Sequence, residues 1–203
     1  MTNKERWKVQ KQIVFLSGEV IYVTVTDKAA VVDSWVQNIR SMYNGQQVIV
    51  GLDSEWRPNQ FPFMSNKTAV LQLCVDTKCL ILQLFYLDRV PQSLRDFLGD
   101  PNFTFVGVEV ARDAEKLRIE YRLHCSNVAD VREITMKRWP TLFYGKPRLK
   151  DIANLVPGLH MPKPVDVCRS DWQSRVLDAE QIQYACIDAY ASYKIGQRLL
   201  NGI

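Results

Sequence analysis

Apolar and polar positions alternate with a period of two over Gln12–Leu16 and again over Val20–Thr26, on either side of Ser17-Gly18, which predicts an opening hairpin. The period then lengthens. After Thr26-Asp27, the residues Val31, Val32, Trp35, Val36 and Ile39 fall on one face of a helix running to about Met42, and Asn44-Gly45 stops it. Val48–Leu52 is a continuous apolar run, the mark of a strand covered on both faces. Ala69–Val75 and Cys79–Leu84 flank Asp76-Thr77-Lys78 as a second hairpin. Leu94–Leu98 predicts a short helix, Phe103–Val108 another buried strand, Ala111–Tyr121 a helix and Ser126–Val131 a short strand end. A helix over Leu149–Val156 leads into a proline-rich stretch at 157–164. The last helix starts near Leu177, where Asp178 and Gln181 are spaced as a capping box, and its apolar face continues to Leu200. Strands come first and helices enter in alternation, which predicts an α/β fold around a sheet of mixed direction.

The 203 residues suit a single domain over 1–203, long enough to bury a core without disulfides. A net charge of +4 permits binding to a polyanion without demanding it. The cysteines (Cys74, Cys79, Cys125, Cys168 and Cys186) are odd in number and lack C-x-x-C spacing, so reduced core thiols are expected rather than a zinc site. His124 and His160 have no partner at a ligand spacing. No run approaches the roughly 20 apolar residues of a membrane span. The charged N-terminus lacks the apolar core of a signal peptide, so a soluble, intracellular protein is expected.

Acidic residues in three separated segments carry the chemistry. Asp53 and Glu55 lie in Val-Ile-Val-Gly-Leu-Asp-Ser-Glu-Trp (48–56), and strand alternation puts both on one face at the strand's C-terminal end. Taken alone, so short a motif is equally well read as two solvated loop acids. Asp113 opens a helix, where an aspartate is commonly a cap. Its place just beyond the second buried strand makes it a site candidate, because adjacent parallel strands end at the same edge. Tyr184 and Asp188 share a helix face at i, i+4, among apolar neighbours that make an unpaired carboxylate expensive. Four converging carboxylates repel one another unless hard cations neutralise them, and two Mg²⁺ or Mn²⁺ ions can clamp a phosphodiester for in-line attack by water. This predicts a nuclease in which Asp53, Glu55, Asp113 and Asp188 bind metal and Tyr184 orients the water.

These motifs resemble the 3′–5′ exonucleases of the DEDD superfamily, in the subtype with a tyrosine in the third motif and nearest the Werner-syndrome-type domain. Asp53, Glu55 and Trp56 match the first motif, and Val106, Gly107, Val108, Asp113, Lys116 and Leu117 the second. Ser170-Asp171-Trp172, Leu177, Gln181, Tyr184, Ala185 and Asp188-Ala-Tyr match the third. Thr68–Cys74 and Cys79–Leu84 are similar to the strands between them. Glu109 departs from the pattern, standing where a small residue, usually glycine, precedes the second-motif aspartate. The resemblance implies a ribonuclease-H-like fold, with a mixed sheet of five or six strands flanked by helices. It also implies two metal ions per site and release of nucleoside monophosphates from a free 3′ end. In length the chain is similar to a plant group of small cytoplasmic exoribonucleases that act on single-stranded RNA, associate with the Argonaute-containing silencing complex and assemble as hexameric rings. A cytoplasmic homo-oligomer is therefore expected, with the nucleus as the alternative location.

Trp56, Arg57, Phe61, Phe63 and Met64 follow the first motif and can stack on or wedge against terminal bases without reading sequence. A loop anchored on the core by its phenylalanines is the plainer reading. Lys137, Arg138, Lys146, Arg148 and Lys150 interleave with Trp139, Phe143 and Tyr144, which read as exposed aromatics on a phosphate track or a subunit rim. Lys163 and Arg169 are weaker candidates. A DNA-directed exonuclease of the same mechanism and a non-catalytic binding module on the same fold are the alternatives.

Overall fold

The computed structural model describes residues 9–59, 61, 64–143, 145–162 and 166–202; Phe63, Tyr144 and Lys163 lie outside the described residues. The first hairpin forms as its alternation requires, with strands β1 (Gln10–Leu16) and β2 (Glu19–Thr26) paired antiparallel. Ser17 and Gly18 both take positive φ, the geometry a two-residue hairpin turn needs. The long apolar run becomes β3 (Val48–Trp56), which continues past Leu52 through both acidic residues. β4 (Thr68–Val75) and β5 (Lys78–Leu82) form the second hairpin. β6 (Phe103–Gly107) and β7 (Val128–Asp130) complete a sheet in the order β1-β2-β5-β4-β3-β6-β7. β3 is an interior strand, antiparallel to β4 and parallel to β6. The sheet has seven strands among the described residues rather than five or six, because the opening hairpin joins one edge through β2 and the short β7 joins the other.

Two apolar layers sandwich the sheet. On one face, Val48, Val50, Leu52, Leu71 and Leu73 pack with the buried sides of α1 (Ala29–Met42), α2 (Gln92–Gly99) and α3 (Val110–Tyr121). On the other, Val70, Ile81 and Val106 pack with α4 (Val131–Arg138), α5 (Leu149–Leu155) and the long α6 (Ala179–Leu200). The α6 capping box forms as spaced, with Asp178 accepting from Gln181 N at 2.8 Å and Gln181 Oε1 accepting from Asp178 N at 3.1 Å. α4 has no counterpart in the apolar pattern of the sequence. It buries only Val131 and Thr135, too few positions to show a period, and Asp130 starts it by accepting from Arg132 N and Glu133 N. β5 ends at Leu82, two residues before the expected Leu84, because the chain turns into a 3₁₀ segment at Leu84–Tyr86.

α6 lies unusually close to β3. A Cβ built on Gly51 would sit 1.9 Å from Ala189 O and 2.7 Å from Tyr193 N, so only glycine admits the helix backbone there. Gly196 makes the same allowance farther along, where a Cβ would come within 2.7 Å of Val106 Cγ2. This contact fixes the register of α6 and carries Asp188, the residue before Ala189, over the C-terminal half of β3.

Candidate active site

Beyond Gly51 the α6 side of β3 turns polar. Asp53 and Glu55 project there, and one carboxylate oxygen from each, together with one from Asp188, fall within 4.8 Å of one another. Asp113 arrives from the other side. It is buried in the first turn of α3, and Ser54, which alternation points away from its two acidic neighbours, donates its Oγ to Asp113 Oδ1 at 2.7 Å. Three of the four predicted acids therefore converge. The fourth lies close enough for its charge to raise the pKa of both Asp53 and Glu55, while its own oxygen is held by a serine. Asp113 is not a helix cap, since Glu109 holds the N-cap position of α3.

The electrostatics follow from crowding. Burial, then the neighbouring carboxylates, pushes Asp53 and Glu55 well above the usual range. Burial raises Asp188 to about 7, with the Tyr184 hydroxyl pulling the other way. Asp113 rises to about 6, also through burial and against the Ser54 hydrogen bond. Burial and the three carboxylates push the Tyr184 phenol well up, so it remains a hydrogen-bond donor throughout the working pH range. Its ring packs 6.1 Å from that of the buried Trp172, whose indole donates to Cys168 O.

An all-oxygen, mutually repelling donor set suits a hard divalent cation. Gln72 adds to that fit. It faces Asp53 directly across the β3–β4 ladder, is fully buried, and among the described residues neither its Nε2 nor its Oε1 has a partner. A neutral amide at the rear of an acidic cluster suits a hydrated ion. Its one sequence signal was a lone polar residue inside the otherwise apolar run Ala69–Val75.

Comparison with known proteins decides the family, because residues 22–203 match the 3′-5′ exonuclease family as a whole. The chain belongs to the 3′-5′ exonucleases. It is 30% identical to a 3′-5′ exonuclease of Arabidopsis thaliana over 151 residues, which cover 72% of this chain and 50% of that protein. It is 28% identical to a 3′-5′ exonuclease of Drosophila grimshawi over 190 residues, covering 90% of this chain and 57% of that protein. The chain thus spans about half the length of the curated relatives it matches. Among solved structures, Escherichia coli RNase D shares the fold with a TM-score of 0.70 at 17% identity, covering 87% of this chain and 44% of that one. The exonuclease domain of EXD2 soaked in Mn aligns with a TM-score of 0.51 at 27% identity, covering 88% and 89%. The family is a branch of the DEDD superfamily, whose members use divalent metals.

Around the acids of this exonuclease, the expected substrate residues fare unevenly. Trp56 is half-buried, and its ring is covered by Lys116 Nζ at 4.9 Å, with the Arg112 guanidinium at 6.0 Å. Lys116 also pairs with Glu120 and donates to Asn66 O, so Trp56 secures the root of the following loop. Arg57 reaches Asp171 at 3.8 Å and links that loop to the segment before α6. Phe61 and Met64 are exposed at the loop, and Lys146 and Arg148 are exposed between α4 and α5. Trp139 is a correction. It packs half-buried against the core at the end of the unforeseen α4, with the Arg138 guanidinium 5.1 Å from its ring centroid. Phe143 is likewise half-buried. Glu109 does not enter the acid cluster; its carboxylate pairs with Arg132 at 2.7 Å. Four of the five thiols are buried and Cys168 is exposed, all of them free.

Proposed function

We propose that the chain is a 3′–5′ exoribonuclease that hydrolyses single-stranded RNA from its 3′ end, with a pair of Mg²⁺ or Mn²⁺ ions held by Asp53, Glu55, Asp113 and Asp188. The observation that carries this reading is the convergence of Asp53, Glu55 and Asp188, with Tyr184 one helical turn before the last of them. When bound, the ions neutralise the carboxylates and polarise a phosphodiester and its attacking water. Asp53 and Glu55 present oxygens from one rigid strand, and Asp188 faces them from a helix locked in register at Gly51. Ser54 holds Asp113 in place beside the trio. The protonated Tyr184 donates a hydrogen bond that fixes the nucleophilic water in line.

RNA as the substrate is supported by the likeness to small plant exoribonucleases and by RNase D, an exoribonuclease involved in structured RNA processing. DNA is the second reading, because the EXD2 exonuclease domain has been soaked with GMP and also with dGMP. The same likeness to the plant group supports a cytoplasmic, ring-forming homohexamer that clears RNA fragments from the Argonaute-containing complex. No helix among the described residues is long and apolar enough to cross a membrane. The deciding experiment is degradation of matched RNA and DNA, single- and double-stranded, with Mg²⁺ and with chelator. Mononucleotide release from single-stranded RNA in Mg²⁺ alone is expected; preferred cleavage of DNA selects the second reading. Light scattering tests the ring.

A further inference from the structure

Glu109 combines an unfavourable backbone with a well-held side chain. At φ 57° and ψ 26° it occupies the left-handed region that glycine adopts freely and glutamate does not. Its carboxylate accepts from Arg132 Nη1 at 2.7 Å and lies 3.8 Å from Arg112 Nη1, and Lys146 adds to the positive field that keeps it ionised. Arg132 is only 16% exposed in its side chain, and its Nε donates to Pro147 O at 2.9 Å, so its guanidinium is fixed facing Glu109. Arg112 directly precedes Asp113 and reaches over Trp56, which places the group at the lip of the acid cluster. The other carboxylate here, Asp130, serves backbone N–H groups: it accepts from Glu109 N through one oxygen and from Arg132 N and Glu133 N through the other. Glu109 is therefore the carboxylate that ion-pairs both arginines.

We propose that Arg112 and Arg132 form a phosphate subsite for the strand whose 3′ end lies at the acids, and that Glu109 fills this subsite in the free protein as an internal competitor. The inference rests on the nuclease reading. A phosphodiester and a carboxylate are both singly charged oxyanions that accept from a guanidinium fork, so one can replace the other on Arg132. The Glu109 side chain, 52% exposed, has solvent to turn into when a phosphate arrives.

The test is binding of a short 5′-labelled single-stranded RNA by fluorescence anisotropy, in chelator to prevent metal-dependent hydrolysis, across a salt series. Glu109→Gln keeps the side chain's shape and removes its charge. It should tighten binding roughly three- to tenfold at low salt and steepen the log–log salt dependence by about 0.7, the share of one phosphate on a single strand. Glu109→Gly, which also relieves the backbone, should tighten binding as well. Adding Arg112→Gln to Glu109→Gln should return affinity toward the wild-type value. Unchanged affinity and salt slope in both Glu109 variants would overturn the subsite alone, because the nuclease reading is judged separately by Mg²⁺-dependent hydrolysis in the wild type. A wild type that neither binds nor hydrolyses the oligonucleotide defeats both.

Discussion

The face of β3 and β4 turned toward α1 and α2 carries Val48, Val50, Leu52, Leu71, Leu73 and Val75, whereas the face under α6 carries Gly51, Asp53, Glu55 and Gln72 among its residues. The two faces belong to the same strands, a side chain's width apart. On the first, those six side chains are apolar and their burial is stabilising, at about 25 cal/mol per Å², and the polar Ser54 at the strand's end is satisfied by its bond to Asp113. On the second, carboxylates are crowded where desolvation and mutual repulsion oppose them, and the Gln72 amide finds no partner among the described residues. The apolar face and the rest of the core thus hold the sheet rigid enough to keep a destabilising cluster in place. Function at the site is obtained against local stability.

Exchanging the sign of an effect between the faces breaks the comparison most sharply. Asp53→Asn or Asp188→Asn should lower hydrolysis by at least roughly a thousandfold, as expected when a group acting as part of a unit is removed. The melting temperature in chelator should stay level or rise. Leu71→Ala should do the reverse, costing about 2–5 kcal/mol of stability while the protein that remains folded keeps its turnover. Hydrolysis and thermal melts on the same samples check both. An Asp53→Asn protein that melts well below wild type in chelator would show that the polar face is structural after all.

Gly51→Ala joins the two properties that the acids separate. The added methyl meets the α6 backbone and forces helix and strand apart, costing about 1–3 kcal/mol or more. Asp188 moves with the helix, so activity should fall by more than the unfolded fraction explains. Comparing specific activity with the folded fraction from circular dichroism is the measurement. A smaller effect is expected for Tyr184→Phe, which keeps the packing on Trp172 and removes only the hydroxyl. Turnover should drop roughly a hundredfold with KM little changed, the cost of a misplaced nucleophile. Steady-state kinetics at saturating substrate decide it.

The gentlest probe is pH. Asp53, Glu55, Asp113 and Asp188 all have folded pKa values above their unfolded ones, with Asp113 at about 6 and Asp188 at about 7. Between the ordinary carboxylate range and pH 7 the folded state thus binds more protons than the unfolded state, and stability must fall as pH rises. Acids with lowered values, such as Asp88 and Glu120, act oppositely but only at more acidic pH. In chelator the melting temperature should therefore decline by several degrees from about pH 5 to pH 8. Millimolar Mg²⁺ should flatten that decline by favouring the ionised acids. A profile that is flat in chelator would mean the acids are not coupled as the geometry requires.

Whatever depends on near neighbours along the chain is legible in the order of its residues. The two hairpins, the buried run of β3, the capping box at Asp178 and Gln181, and the shared faces of Asp53 with Glu55 and Tyr184 with Asp188 all follow from a period of two or 3.6. Expected boundaries were off by a residue or two at several ends, where a turn rather than the period stops the element. Tertiary structure alone decided what crosses a gap. Asp113 is bonded to Ser54, Glu109 turns to Arg132, Trp139 folds onto the core, and Gln72 lies beside the acids. No local pattern encodes these, because a hydrogen bond or close backbone contact between residues some 20 to 140 positions apart depends on where packing puts both partners. Gly51 shows the division most clearly. In the sequence it is a small residue in an apolar run; in the fold it is the point where α6 touches β3, and the distance from Asp188 to Asp53 is set there.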